Sequence, residues 1–222
     1  MTFSEQFPIV LQALNAGFLQ TLKLFAVTLI GAIPLGLIIS FGSMSRFRPL
    51  RYLVRLVIWV IRGTPLMLQL LILFFFPGLV LGKNIWGSGE TGRFLASAIA
   101  FVFNYACYFS EIFRGGIESV SASQGEAGKV LGMTRSQIFN NVILLQVVKR
   151  IIAPVSNEII TLVKDTALAN SIGVLEIIIV AKQFTKYAVW PLFYSGVFYL
   201  VFVGLLTLLF GFIEKRLSYF KV

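Results

Sequence analysis

The sequence predicts an all-α polytopic membrane protein with five transmembrane helices. Of its 222 residues, 58% are hydrophobic and only 13% are charged. A soluble domain of this composition would expose more apolar surface than is usual in water. Several uncharged runs reach the roughly 20 residues that a helix needs to cross the hydrocarbon core. These runs lack the polar–apolar alternation of barrel strands, so helices are the predicted spanning elements.

Four spans are predicted from long uncharged runs. They are Leu24–Ser45, Gly63–Gly82, Phe94–Ser110 and Tyr187–Ile213. A fifth run, between Arg150 and Lys164, has 13 residues and contains a carboxylate, Glu158. A helix of that length covers only about 20 Å, so it must take in flanking residues in order to cross.

Residues 1–22 are predicted to form an amphipathic helix that lies on the membrane surface ahead of the first span. One apolar face, at helical spacing, is formed by Phe7, Val10, Leu11, Leu14 and Phe18. No basic residue precedes Lys23, which argues against a secretory signal. No change in composition divides the chain, so residues 1–222 are predicted to form a single membrane domain.

The distribution of positive charge predicts an external N-terminus and an internal C-terminus. Twelve lysines and arginines fall on the side predicted to be cytoplasmic: Arg46, Arg48, Arg51, Arg55, Arg114, Lys129, Arg135, Lys149, Arg150, Lys215, Arg216 and Lys221. Five fall on the other side: Lys83, Arg93, Lys164, Lys182 and Lys186.

Nucleic-acid binding is not the expected role of the formal charge of +10. In membrane proteins, lysine and arginine collect in cytoplasmic loops beside anionic lipid. The chain has one cysteine, Cys107, and no histidine. This composition excludes an intrachain disulfide and argues against a metal site or Cys/His catalysis.

Residues 120–141 form a polar segment between two apolar runs, and we expect them to lie in the cytoplasm. One helical face of this segment would carry Ala127, Val130, Leu131 and Thr134. Ile138 and Phe139 are expected to offer a second apolar contact. From pattern alone, the segment is either an ordinary interfacial loop or a short helix that fits a groove on a partner protein.

The segment resembles the EAA loop of bacterial ABC-importer permeases, specifically those of the polar amino-acid (histidine, arginine and glutamine type) uptake family. That family's pattern is roughly Q-x-E-A-A-x-x-L-G, with I-L-P-Q farther along the chain. The matching residues here are Gln124-Gly-Glu126-Ala127-Gly128-Lys-Val-Leu131-Gly132 and Val142-Ile143-Leu144. Gly128 replaces the second alanine, and Leu145 stands where proline is usual before Gln146.

Three further stretches resemble the same family, so that the match covers residues 17–217 in order. They are Arg62-Gly63-Thr64-Pro65-Leu66 with Gln69, Glu111-Ile-Phe-Arg114-Gly115-Gly116-Ile117, and Ser156-Asn157-Glu158 with Lys164-Asp165-Thr166-Ala167-Leu168.

The resemblance implies the transmembrane domain of a type I ABC importer, in which residues 120–141 contain a coupling helix. Coupling to the ATPase is then assigned to Glu126, Ala127, Gly128, Leu131 and Gly132. The implied partners are two ATPase subunits, a second permease copy (identical or a close paralogue) and an extracellular substrate-binding protein. The chain contains no G-x-x-x-x-G-K-[ST] phosphate loop, so ATP and Mg²⁺ are expected on the partner ATPase and no cofactor is expected here.

Glu158 is the principal candidate for contact with a substrate, because a carboxylate inside a span is costly unless it faces a partner or an aqueous cavity. Pro154, Glu158, Thr161 and Asp165 recur at helical spacing and form a polar stripe, which Asn157 extends. Glu158 would hold an ammonium group or the side chain of a basic amino acid. The alternative is that it pairs with Lys164 or Arg150 and only holds helices together.

Several other polar residues have structural as well as functional interpretations. Thr64 and Pro65 resemble an N-cap and first turn, which would cap the second span or bind a carboxylate. Gln69, one turn inward, is a further substrate-contact candidate. Asn104 is expected to hydrogen-bond to another helix, and Glu111 to pair with Arg114. Lys164 and Asp165 form either a second pair or a gate beside the substrate.

The predicted function is therefore the permease subunit of an ATP-driven importer of basic or polar amino acids in the bacterial cytoplasmic membrane, with hydrolysis performed by another chain. The alternative is a subunit of an ion- or proton-coupled secondary amino-acid transporter. Such transporters commonly contain internal repeats, and none is visible here. A membrane enzyme would need convergent catalytic groups, which the sequence also lacks.

Overall fold

The computed structural model describes residues 3–87, 89–186 and 188–217, without the side chains of residues 3–6 and 81. Lys221, one of the predicted cytoplasmic cations, and Tyr187, the first residue of a predicted span, lie outside the described residues.

Within those ranges the chain forms helices and no strand. Nine are α-helices: α1 (Phe3–Ser43), α2 (Arg48–Arg62), α3 (Leu66–Leu81), α4 (Glu90–Glu118), α5 (Ala122–Val130), α6 (Arg135–Ile138), α7 (Leu144–Asp165), α8 (Ile177–Phe184) and α9 (Trp190–Leu217). A π-helical segment, Phe139–Ile143, precedes α7, and a 3₁₀ segment, Thr166–Ile172, follows it.

The apolar helices confirm the predicted all-α class. Four described helical stretches are long and apolar enough to cross a membrane: Phe7–Ser43, Glu90–Glu118, Arg135–Ile172 and Trp190–Leu217. The pair α2 and α3 becomes a fifth candidate when it is counted as one span bent by 102°. The short run around Glu158 takes in helical residues on both sides, as its length required.

The N-terminal region differs from its prediction. Residues 3–22 are not a separate helix, because α1 is continuous over 41 residues and has no break near residue 22. At about 1.5 Å per residue, α1 is about 60 Å long, twice the hydrocarbon thickness. Val10 and Leu14 are buried against Ile177, Val180 and Ala181 of α8. Part of the predicted apolar face therefore packs against protein.

The arginines of the stretch Phe41–Leu56 predict a cytoplasmic loop, but residues 48–62 form α2, so much of that stretch is helical. Pro49 lies in its first turn, where the missing N–H costs nothing. The four arginines of this helix are Arg48, Arg51, Arg55 and Arg62. They recur on one side of an otherwise apolar helix, and this periodicity is the signal that the loop interpretation overlooked.

Helix α4 lies at the centre of the described core, and α1 crosses it closely. Gly31 and Gly36 of α1 face Val102, Ala106 and Phe109 of α4. An added Cβ at Gly36 would lie 2.9 Å from both the Ala106 carbonyl oxygen and the Phe109 Cβ. Small residues allow this close helix approach, as is common between membrane helices.

A tryptophan side chain replaces the backbone hydrogen-bond donor that proline removes from α3. Pro77 lacks the N–H that the Leu73 carbonyl would normally accept. The Trp86 indole Nε1–H donates to that carbonyl at 3.0 Å, from the loop that follows α3. The loop is thereby fixed to the helix, because an unpaired carbonyl in an apolar surrounding is costly.

The bend between α2 and α3, which we call the elbow (residues 61–66), is held by the Gln69 side chain. Its Nε2 donates to the carbonyl oxygens of Ile61 and Thr64 at 2.7 and 3.1 Å, and to Thr64 Oγ1 at 2.8 Å. Its Oε1 accepts from Asn104 Nδ2 of α4 at 3.0 Å. The predicted interhelical hydrogen bond of Asn104 is thus present.

Substitution of Gly36 by alanine should destabilise the protein. The new methyl group would press on backbone and Cβ atoms that cannot move independently, so we expect a loss of about 1–3 kcal/mol. The thermal unfolding midpoint in detergent measures the effect. The matched control is Gly115→Ala in α4, where nothing lies within 4 Å of the added Cβ. An unchanged midpoint for Gly36→Ala would contradict the close crossing.

A Gln69→Leu substitution should lower the unfolding midpoint even without any ligand. It leaves elbow carbonyls and the Asn104 amide without their partner, at about 1–3 kcal/mol for each buried group left unpaired. Gln183→Leu, at an exposed position in α8, is the matched control. A normal midpoint accompanied by lost substrate binding would instead favour the ligand role predicted from the sequence.

Candidate functional site

A cavity of about 520 Å³ lies between the elbow, the middle of α4 and α7; we call it the polar cavity. Its lining comprises Arg62, Gly63, Thr64, Pro65, Leu66, Asn104, Tyr105, Tyr108, Glu158, Thr161, Asp165 and Leu168. Its volume falls within the range of small-molecule sites.

The α7 wall of the polar cavity carries three of the five substrate-contact residues predicted from the sequence. Glu158, Thr161 and Asp165 lie on successive turns of α7 and all line the cavity. Asp165 accepts a hydrogen bond from Tyr105 Oη at 2.8 Å. Glu158 is half-buried and makes no hydrogen bond or ion pair among the described residues. Glu158 is therefore the carboxylate that is available to a ligand.

The structural alternatives for these carboxylates are not found in the described part of the chain. Glu158 pairs with neither Lys164 nor Arg150, and Arg150 Nη1 instead donates to Ser119 Oγ at 2.9 Å. Lys164 and Asp165 likewise form no ion pair there, and Asp165 instead accepts the hydrogen bond from Tyr105. The Glu111–Arg114 pair is present, with Arg114 Nη2 2.7 Å from Glu111 Oε2.

The opposite wall is the elbow, where α3 begins at Leu66. Its N-cap is Pro65, with no side-chain cap, rather than the expected Thr64. Thr64 Oγ1 instead donates to the Val60 carbonyl of α2 at 2.9 Å and accepts from Gln69 Nε2 at 2.8 Å. The backbone N–H groups of the first turn of α3 thus lack a side-chain cap beside the cavity. Such groups favour a negatively charged ligand.

Two predicted contact residues lie elsewhere. Asn157 is exposed and does not line the polar cavity, and the same holds for Pro154. Gln69 also lies outside the lining, because its amide is engaged at the elbow. Asn157 and Pro154 are close to Glu158 in the sequence, and Gln69 lies within a predicted span. Closeness of this kind does not show which side of a helix faces the cavity.

Three side chains that line the polar cavity are not among the predicted substrate contacts: Arg62, Tyr105 and Tyr108. Tyr105 is buried with its hydroxyl on Asp165, and the Arg62 guanidinium carbon lies 5.0 Å from the centre of the Tyr108 ring. One signal was present in the sequence. Asn104, Tyr105 and Tyr108 are polar-tipped residues at helical spacing in an otherwise apolar span.

The predicted coupling segment forms two short helices, α5 and α6, with a tight turn between them. Gly132, with φ of 74°, ends α5. Its N–H bonds to the Lys129 carbonyl at 3.0 Å, and that of Met133 to the Gly128 carbonyl at 3.0 Å. This glycine C-cap leaves Val130 and Leu131 exposed, at 88% and 79%. Glu126 and Ala127 are also exposed.

Gly128 brings α5 and α6 into contact. It is buried, and an added Cβ would lie 2.7 Å from Ile138 Cγ1. Ile138 was expected to be an exposed apolar contact, but it is only 5% exposed because it fills the space beside Gly128. Glycine in place of the usual alanine therefore permits close packing within the segment, while Phe139 remains exposed.

Known proteins resemble this chain in sequence. Residues 32–219 match the family described as "Binding-protein-dependent transport system inner membrane component". The arginine transport system permease protein ArtQ of Bacillus subtilis is 34% identical over 96% of this chain and 94% of its own. The L-cystine transport system permease protein TcyB of the same organism is 39% identical over 77% of this chain and 70% of its own.

Solved structures resemble it in fold. A crystal structure of an amino acid ABC transporter with histidines superposes with a TM-score of 0.84 at 29% identity, covering 97% of this chain and 99% of that one. An inward-facing structure of the MetNI methionine ABC transporter, at 16% identity, has a TM-score of 0.70 over 98% of this chain and 100% of that one; it shows similarity of fold.

The family match, over residues 32–219, covers most of the chain. The chain belongs to the family of binding-protein-dependent transport system inner membrane components.

Proposed function

We propose that this chain is the permease subunit of an ATP-driven importer of basic or polar amino acids, and that the polar cavity holds the transported molecule. The observation that carries the proposal is the pair of carboxylates, Glu158 and Asp165, in one cavity that also faces the first turn of α3. The ammonium group of an amino acid complements these carboxylates, and its carboxylate group complements the N–H groups that begin α3.

The proposed binding mode assigns one charged group to each wall. Glu158 holds the α-ammonium group or a cationic side chain, because it has no other partner among the described residues and charge-assisted hydrogen bonds are strong. Thr161 and Asp165 line the same wall. The substrate carboxylate lies at the N–H groups that begin α3. Asn157 and Gln69, outside the cavity, would act only indirectly.

The proposed assembly contains two permease chains, two ATPase subunits and an extracellular delivery protein. The N-terminus lies outside and the C-terminus inside, in agreement with the excess of lysine and arginine on the predicted cytoplasmic side. ATP and Mg²⁺ are bound by the ATPase, whose closure moves the permease pair between inward-facing and outward-facing states. A second permease copy is needed because five spans are few for enclosing a pathway.

The segment α5–α6 is the proposed contact with the ATPase. Val130 and Leu131 project at its tip, and two such apolar side chains suit a groove on a partner protein. Gly132 makes the turn, and Gly128 sets the spacing to Ile138. Glu126 and Ala127 lie on the exposed side of α5.

A Glu158→Gln substitution should abolish or strongly weaken binding of arginine and lysine. Loss of a charge-assisted hydrogen bond corresponds to about 1.5–3 kcal/mol, or roughly 10- to 100-fold in affinity. Calorimetry on the detergent-purified complex, with arginine, lysine, histidine, glutamine and glutamate, measures the effect and the substrate class. The matched control, Glu90→Gln, changes an exposed carboxylate that does not line the cavity. Equal binding by wild type and Glu158→Gln would remove Glu158 from the site.

A Leu131→Asp substitution should prevent the ATPase subunits from co-purifying with the permease. It places a charge in the proposed apolar contact, where an unpaired charge is costly. Ser123→Asp is the matched control, because it adds the same charge near the N-terminus of α5, where negative charge is favoured. The measurement is the ratio of ATPase to permease after affinity purification. Failure of wild type to retain any ATPase would favour the ion-coupled alternative.

A further inference from the structure

Arg62 lines two cavities. It is the last residue of α2 and lines the polar cavity together with Tyr108 and Glu158. It also lines a second cavity of about 270 Å³, which we call the arginine chamber. The residues of the chamber are Arg55, Ile58, Trp59, Arg62, Glu111 and Arg114. Among the lining residues of the polar cavity and the arginine chamber, Arg62 is the one that the two share.

The order of residues along α4 places the chamber on the inner side. Asn104, Tyr105 and Tyr108 line the polar cavity, and Glu111 and Arg114, farther toward the C-terminal end of α4, line the chamber. In the proposed orientation this end of α4 faces the cytoplasm. A molecule that leaves the polar cavity toward the cytoplasm along this face of α4 would therefore pass Arg62 and enter the chamber.

The contacts of Arg62 are weak enough to be released. Its Nη1 lies 3.7 Å from Glu111 Oε2, and its side chain is 41% exposed. Glu111 is already engaged by Arg114, whose Nε and Nη2 donate to its two oxygens at 3.0 and 2.7 Å. Arg62 is thus a second cation beside the Glu111 carboxylate, which Arg114 already binds. A partly exposed ion pair such as Arg62–Glu111 contributes little stability. Its contact with the Tyr108 ring, at 5.0 Å, is of comparable strength.

The two cavities carry opposite charge. The polar cavity contains Glu158 and Asp165 together with Arg62, whereas the chamber contains three arginines and one glutamate. A cationic molecule is attracted to the first and repelled by the second. The chamber would therefore oppose the return of a basic amino acid from the cytoplasm.

We propose that Arg62 is the gate between the polar cavity and the cytoplasm: held by Tyr108 and Glu111, its guanidinium closes the passage, and its release opens it. The proposal rests on the orientation and transport function proposed above. Arg62 lies within the elbow itself, as the last residue of α2, so a change in the bend between α2 and α3 would move Arg62 directly.

The test measures access to the polar cavity without using transport. Cys107, buried in α4, is replaced by serine, and Thr161→Cys then supplies one thiol on the lining of the cavity. The complete complex, in inside-out vesicles without ATP, is treated with a membrane-impermeant thiosulfonate from the cytoplasmic side. Arg62→Ala should raise the rate of modification at least about tenfold, and should raise it more for a cationic reagent than for an anionic one.

Three further variants separate the gate from a folding effect. Arg62→Lys keeps the charge and should remain near the wild-type rate. Arg216→Ala removes an exposed arginine of α9 and should change nothing. Tyr108→Leu removes the ring that holds Arg62 and should accelerate modification, which provides a second test if Arg62→Ala fails to assemble.

The gate and the substrate assignment fail in different ways. If Arg62→Ala and Tyr108→Leu both leave the rate at the wild-type value, Arg62 is not the gate, whatever amino acid binds. If Arg62 controls the rate but Glu158→Gln leaves binding unchanged, the gate stands and the substrate assignment is wrong. Modification from the external side alone in every variant would overturn the gate, because the cavity would then have no inner passage.

Discussion

The hydrogen bonds of the Gln69 amide determine where the polar cavity lies. A 102° bend between α2 and α3 leaves backbone carbonyls without helical partners in an apolar surrounding, where they are costly. Gln69 supplies donors for Ile61 and Thr64, and at the same time binds Asn104 of α4. One side chain thus stabilises the bend and fixes it against the central helix. Arg62 and the start of α3 line the polar cavity together with residues of α7.

The need to give each backbone N–H and carbonyl group a hydrogen-bond partner also explains two other positions in the fold. The Trp86 indole donates to the Leu73 carbonyl that Pro77 leaves without its usual partner. Glu176, only 1% exposed, caps α8 by accepting from the N–H groups of Ile178 and Ile179 at 2.8 and 2.7 Å. In both places a side chain close by supplies the hydrogen bonds that the helix itself does not. The functional geometry therefore depends on polar residues whose role is structural.

Two acidic side chains, which attract a cation, and most of the basic side chains near them, which repel one, line different cavities. Glu158 and Asp165 lie together on α7, and the arginines of α2 and α4 lie beyond Arg62. The difference between Glu158 and Glu176 is instructive, since both are carboxylates in apolar surroundings. Glu176 is satisfied by backbone N–H groups of α8, whereas Glu158 faces an open cavity without a described partner. Burial of a carboxylate alone therefore does not distinguish a helix cap from a candidate ligand residue, but the presence or absence of local donors does.

The sequence by itself determined the features that depend on local pattern. Apolar runs and charge predicted the all-α class and the number of candidate spans. The polar composition of residues 120–141 set that segment apart from the spans, and helical spacing placed Glu158, Thr161 and Asp165 on one stripe. Tertiary structure decided which polar groups meet across helices. Periodicity along one helix cannot reveal that Tyr105 donates a hydrogen bond to Asp165, or that the Gln69 amide is hydrogen-bonded at the elbow. It also cannot reveal that Arg62 lines both cavities. It also could not show that residues 3–22 continue into the first span, because an apolar stripe has the same spacing against lipid as against α8.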